Sequence, residues 1–248
     1  METQAGAGSL TPPPWLLVAA TEMELAPLRA ALASFSHLDF LVCGVGPTAA
    51  AAGLAAYLAA CRQPLSGVII SGVAGAYPSP DSSLEKPGYP LQLLDICLAR
   101  REILADFGVA APHGADPLTG KGLDGTREFV LDADLCQRAR TLLQNRGVDA
   151  RKGVFLTVNA ASSTLERGLA LARRHRAICE NMEGAAAALV CRSFSVPLLE
   201  LRCISNLVEN RDLSRWRLAR AIARNAEIAA MLISELCHSQ NHRPHRAA

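Results

Sequence analysis

Short apolar runs rich in Val, Ile and Leu alternate along this chain with longer stretches of helical spacing, a pattern that predicts a largely parallel sheet with crossover helices. The strand-like runs are 15–21, 39–46, 66–75, 93–103, 152–159 and 197–205. The helical stretches fill about 25–34, 48–61, 133–146, 182–194 and 214–237. Two segments interrupt the alternation. Residues 77–90, YPSPDSSLEKPGYP, carry four prolines among glycine and serine, and with residues 110–126 they read as excursions outside the sheet. There is no internal repeat and no linker long enough to force a boundary. The expected architecture is a single α/β domain over 15–237, with a mixed, mostly parallel central sheet flanked by helices. Residues 1–14 are expected to form a flexible lead-in and 238–248 a disordered tail.

Composition narrows the classes of function. A chain of 248 residues, 50% hydrophobic, buries a substantial core. A formal net charge of +2 gives no electrostatic footprint for nucleic acid or an anionic membrane, so a small ligand fits better. The lead-in METQAGAGSLTPPP lacks the basic and apolar regions of a secretory signal. The most apolar stretch, Val45 to Cys61, is mostly alanine, contains Pro47 and Gly53, and is shorter than the roughly 20 residues a membrane-spanning helix needs. Eight cysteines without a C-x-x-C pair read as free thiols in a reducing, cytoplasmic setting. The loosely spaced histidines of HSQNHRPHRAA suit a disordered end better than a metal site, and neither metal nor cofactor is expected.

In open α/β sheets ligands bind beyond the carboxyl ends of the strands, which directs attention to four junctions. The first is AATEMELAPL, residues 19–28. Thr21 and Glu24 have capping-box spacing, but a helix capped at Thr21 would carry Pro27 beyond its first turn, so helix entry nearer Glu24 is expected. The second and third are the glycine turns CGVGPT and SGVAGA, residues 43–48 and 71–76; neither is a G-x-G-x-x-G or a P-loop. The fourth is CISNLVEN, residues 203–210, where Ser205 and Asn206 have the composition of a side-chain turn. A fifth feature is ICENMEGAAAALVCRSF, residues 178–194, which sets Glu183 at the start of an alanine-rich helix. A first-turn carboxylate is favoured by the helix dipole alone, yet the apolar flanks here suit a solvated glutamate poorly.

Glu24 after the first strand, SGVAG after the third, NMEGAA opening a late helix and RCISN ending the last strand occur in an order and spacing that resemble the nucleoside phosphorylase and methylthioadenosine nucleosidase superfamily. The resemblance covers roughly residues 15–236 and implies an enzyme acting on the N-glycosidic bond of a purine nucleoside, as a homo-oligomer. It further implies that Glu24 activates the attacking water, that Glu183 accepts from the ribose hydroxyls with Met182 packed on the sugar, and that Asn206, with Ser205, contacts the purine. Ala74 and Gly75 fall in the substrate-binding turn, and main-chain groups at Ala161 and Ser162 would bond the base edge. Two departures refine the substrate. Related adenine-cleaving enzymes carry aspartate at Asn206; an amide both donates and accepts, which suits a six-oxopurine. Phosphorylases carry a phosphate-binding arginine at Ile70, so water is the expected nucleophile. Ala161 stands where relatives have an aromatic residue, which removes stacking from that side. A phosphorylase, a methylthioadenosine-type nucleosidase and a non-catalytic purine-binding protein are the alternatives.

Overall fold

The computed structural model describes residues 13–111, 114–122 and 125–241. The expected lead-in lies outside the described residues except for 13 and 14, and so does the expected tail except for 238–241, which continue the last helix. The fold is the expected mixed α/β single domain, with an eight-stranded sheet and helices on both faces. In chain order its elements are β1 (Trp15–Ala19), α1 (Glu22–Ala31), β2 (Leu38–Val42), α2 (Pro47–Ala60), β3 (Gly67–Ala76), β4 (Ile96–Leu104), β5 (Val109–Ala111), β6 (Gly114–Asp116), β7 (Glu128–Val130), α3 (Ala133–Asn145), β8 (Ala150–Thr157), α4 (Leu165–His175), β9 (Ala177–Asn181), α5 (Gly184–Ser193), β10 (Leu198–Leu207) and α6 (Leu218–Asn241).

β3 is the hub. Its first half pairs in parallel with β1, Val68–Ala76 run parallel to β10, and its last two residues pair antiparallel with β9. Since β10 also pairs with β4, β4 with β8 and β8 with β9, five strands close into a ring, and β1 and β2 extend from it as an open wing. The fully apolar stretch Val68–Ile70 of β3 is buried, as befits a strand covered on both faces. One core packs α1, α3 and α6 against the sheet, and a second packs α2 and α5 on the opposite face. Among the described residues no helix is long and apolar enough to cross a membrane. All eight cysteines are free and six of them are buried.

Several expectations need amendment. The strip from 165 to 181 holds a helix and a strand, α4 and β9, where none was anticipated. Thr164 caps α4 by accepting from the Arg167 amide, and left-handed Arg176 (φ 51°) ends it, so β9 starts at once. Residues 77–90 lie outside the sheet, and within 110–126 part of a separate two-stranded hairpin, β5–β6, stands apart from it. The last strand continues through Ser205 and Asn206 to Leu207, so these two residues sit on a strand and make no turn. The last helix starts at Leu218, after a single 3-10 turn at Leu213–Arg215, and runs to Asn241.

Candidate active site

The helix α5 begins with an exchange of roles between neighbours. Glu183 occupies its N-cap position but makes no side-chain cap. Asn181 does the capping: its Oδ1 accepts from the amides of Glu183 (2.9 Å) and Gly184 (2.7 Å). The Glu183 carboxylate, 4% exposed, is thereby free to turn toward α2, where Oε1 accepts from the Gly46 amide at 3.2 Å. The start of α2 thus presents a main-chain donor to this carboxylate.

Glu24 reaches the same place from α1. The helix starts at Glu22, capped by Thr21, and the capping box is complete. The later entry expected from Pro27 is therefore incorrect. The carbonyl that Pro27 leaves without its helical partner belongs to Met23, a 60% exposed residue, so water can satisfy it. Glu24 Oε2 accepts from the Thr21 amide (3.2 Å) and hydroxyl (2.9 Å), while Oε1 accepts from the Val73 amide at 3.2 Å. Capping and a place at the strand ends are compatible because one oxygen serves each. Gly72 makes the approach possible: a Cβ there would come within 2.7 Å of Glu24 Oε1 and 2.9 Å of Arg202 Nη1.

Arg202, on β10, stands between the two carboxylates. Its Nη1 lies 3.3 Å from Glu183 Oε2 and its Nε donates to Glu200 Oε1 at 2.9 Å. Burial alone would weaken the guanidinium's hold on its proton, but Glu200, Glu183 and Glu24 around it push its pKa above the ordinary arginine value. Behind Glu200 lies a second buried acid, Glu102, which accepts from the Thr157 hydroxyl (2.8 Å) and the Asn181 amide (2.5 Å). Burial first, and then the facing Glu200, hold Glu102 well above the usual carboxylate range. Burial raises Glu200 as well, but there the adjacent Arg202 pulls the other way, so of the two acids Glu102 lacks the compensating cation.

The raised pKa of Glu102 has a consequence for stability. Folded Glu102 retains a proton that the unfolded chain releases near 4.5, so its stabilising contribution is complete below that pH and declines as pH rises toward the folded pKa. Glu102→Gln, always neutral, escapes the decline. The melting temperature of the variant relative to the parent should therefore climb steadily between pH 5 and 8. A constant difference across that range would show that Glu102 is ionised in the folded protein.

The other end of the site is built by β3, β9 and β10. Ala74 and Gly75 lie near the end of β3, and a bulge between Ile204 and Asn206 re-aims β10 beside them. The Ser205 hydroxyl donates to Asn206 Oδ1 at 2.9 Å. Ala161 and Ser162 follow β8; Ala161 is exposed, whereas Ser162 is buried with its amide donating to Glu180 Oε1 at 2.8 Å. All of these groups surround one cavity of about 270 Å³ at the carboxyl ends of β1, β3, β8 and β10. Every residue nominated from sequence lines it: Glu24, Glu183, Asn206, Ala74, Gly75, Ala161, Ser162, Met182 and Ser205.

Residues not nominated also line it, notably Arg202, Glu180, Asn181 and Trp216. Arg202 opens the RCISN segment and Glu180 shares an alternating strand face with Met182, so the signals were short-range but lay in a strand unrecognised or inside a motif read for its last residues. Among the described residues no cluster of His, Cys, Asp or Glu is arranged to hold a metal ion.

Comparisons with known proteins identify relatives of this chain. The Phosphorylase superfamily profile matches residues 40–237. A futalosine hydrolase of Thermus thermophilus is 34% identical over 232 residues, covering 89% of this chain and 96% of that protein. Among solved structures, a Helicobacter pylori 5′-methylthioadenosine nucleosidase mutant with 5′-methylthioadenosine in its active site superposes with a TM-score of 0.76 at 18% identity, covering 91% of this chain and 100% of that one. A futalosine hydrolase mutant of the same species gives a TM-score of 0.75 at 19% identity, over 90% of this chain and 100% of that one. The chain therefore belongs to the phosphorylase superfamily and, within it, to the futalosine hydrolases.

Proposed function

We propose that this protein hydrolyses the N-glycosidic bond of futalosine, releasing hypoxanthine and dehypoxanthine futalosine for menaquinone biosynthesis. The observation that carries hydrolysis over phosphorolysis is the charge of the cavity wall. Among the described residues Glu24, Glu180 and Glu183 line it against one cation, Arg202, which is already paired with Glu200 and Glu183. A phosphate dianion needs unpaired donors and would be repelled here. Ile70, where a phosphorylase would carry its arginine, is 1% exposed in the core and does not line the cavity.

In this reading water attacks the anomeric carbon, Glu24 takes its proton, and a carbon–oxygen bond forms as the bond to the purine nitrogen breaks. The purine departs with the electron pair and takes a proton from solvent, while Glu24 returns to solvent the proton it took from the attacking water. Glu183 accepts from the ribose hydroxyls and faces the positive charge that develops on the sugar, which is electrostatic stabilisation by a group already in place. Arg202 positions Glu183 through its Nη1 and adds positive charge near Glu24. Asn206 directs its amide nitrogen to the six-oxo group, since Ser205 already donates to its oxygen. We also infer a cytoplasmic homo-oligomer; the exposed apolar side chains Met23, Val45 and Leu218 at the cavity support a covered rim.

The experiment offers futalosine, inosine and methylthioadenosine separately, with and without phosphate, and identifies the released base. Futalosine should yield hypoxanthine at a rate indifferent to phosphate. A requirement for phosphate, with a sugar phosphate as product, would overturn hydrolysis; release of adenine in preference to hypoxanthine would overturn the substrate class.

A further inference from the structure

Glu180 is a buried carboxylate at the cavity for which neither water activation nor ribose binding has a use. We propose that it reads the N1–H edge of the purine and, opposite Asn206, makes the site selective for six-oxopurines; this rests on the purine nucleosidase reading above.

Strand register brings the two together. Glu180 on β9 is paired with Gly75 on β3, and Gly75 is paired with Asn206 on β10. Two polar side chains thus flank a residue that has none, two strand spacings apart, about 9.5 Å between backbones, which leaves room for a planar base edge. A side chain at Gly75 would enter this space, since its Cβ would come within 3.0 Å of Asn206 Nδ2. All three residues line the cavity.

The carboxylate is held but not saturated. Oε2 accepts from the Tyr77 hydroxyl (2.8 Å) and the Ser162 hydroxyl (2.6 Å), and Oε1 accepts from the Ser162 amide (2.8 Å). Each carboxylate oxygen takes about two donors, so Oε1 has capacity for one more. Among the described residues Glu180 has no ion-pair partner, although it is only 6% exposed; Arg167 reaches no nearer than the Ser162 hydroxyl, at 3.2 Å. Tyr77 remains a donor, because burial and then Glu180 itself hold its pKa well above the ordinary phenol value. The result is an acceptor fixed on three sides and aimed at a ligand's donor. It also takes over a task expected of the main chain, because the Ser162 amide is already engaged with Glu180.

The pairing of a donor at Asn206 with an acceptor at Glu180 matches hypoxanthine, which presents an acceptor at position six and a donor at N1. Adenine presents the reverse, a donor at position six and a lone pair at N1, and meets the carboxylate with a repulsive contact. Sites that hydrogen-bond a particular edge reject its inverse strongly, because buried groups are left unpaired.

Calorimetric titration with hypoxanthine, 1-methylhypoxanthine and adenine tests this without turnover. The parent protein should bind hypoxanthine at least ten-fold more tightly than either of the others, because methylation removes the N1 donor and sets a methyl group against the carboxylate. Glu180→Gln, whose amide can donate to the adenine N1, should narrow the hypoxanthine-to-adenine preference by ten-fold or more. Equal affinity of the parent for hypoxanthine and 1-methylhypoxanthine would overturn the assignment, and it needs no variant. So would a Glu180→Gln protein weakened equally toward all three bases, the signature of a residue that only braces the loop after β8. The purine reading itself is judged separately: if the parent binds none of the bases and releases none from a nucleoside, both fall; if it releases hypoxanthine yet ignores N1 methylation, only the role of Glu180 falls.

Discussion

Glu24→Gln should lower kcat for hypoxanthine release by about 10²-fold to 10⁴-fold, the usual range for loss of a general base. The substitution keeps the shape of the side chain and one carbonyl oxygen, so part of the hydrogen-bond set around Thr21 and Val73 survives. The other oxygen becomes an amide nitrogen, which faces an N–H donor whichever way the group is turned, and a modest loss of stability of about 1 kcal/mol follows. The two effects separate cleanly. A variant that melts lower but turns over at nearly the parent rate would reduce Glu24 to a helix cap. A variant that folds and binds hypoxanthine but does not hydrolyse supports its place beside the attacking water. Glu183→Gln should also reduce kcat severely, but by removing charge that faces the ribose, so its loss should be independent of which purine is leaving.

Arg202→Met should be the most damaging single change. The guanidinium balances Glu200 and Glu183, both almost fully buried, and removing it leaves these acids without their cation. Breaking one side of a buried ion pair costs about 3–5 kcal/mol, a large part of the stability of an ordinary domain. The double change Arg202→Met with Glu200→Gln removes the orphaned charge that has no catalytic use, and should recover much of the stability. It should not recover activity, because Glu183 and Glu24 remain without the group that lies between them. Recovery of both stability and kcat in the double variant would show Arg202 to be structural only; this is read by denaturant melts and turnover of the same preparations.

How far these features were legible in sequence follows from the range of the interactions that create them. The long periodic elements were plain, because α2, α3, β3 and β10 satisfy local propensity and burial together. α4 and β9 were not, since LERGLALARRH mixes four charged side chains and a histidine with its apolar face and β9 is only five residues long. Losing β9 hid Glu180 and Asn181, whose roles depend on pairing with β3 and β8 far away in the chain. Glu183 was conspicuous for an apolar setting, yet its release from capping depends on Asn181, a substitution of one cap for another that spacing does not reveal. The network of Arg202, Glu200 and Glu102 was likewise hidden, because charged residues in a strand pattern declare their pairing only once the sheet has closed into a ring.

The central claim, that water is the nucleophile at the anomeric carbon of a six-oxopurine nucleoside, is tested most directly by isotope. Futalosine turned over in phosphate-free buffer made with ¹⁸O-labelled water should give hypoxanthine without label. The released sugar product should carry one labelled oxygen at the anomeric carbon when trapped before exchange. Absence of turnover until phosphate is added, with the anomeric oxygen then coming from phosphate, would contradict the account.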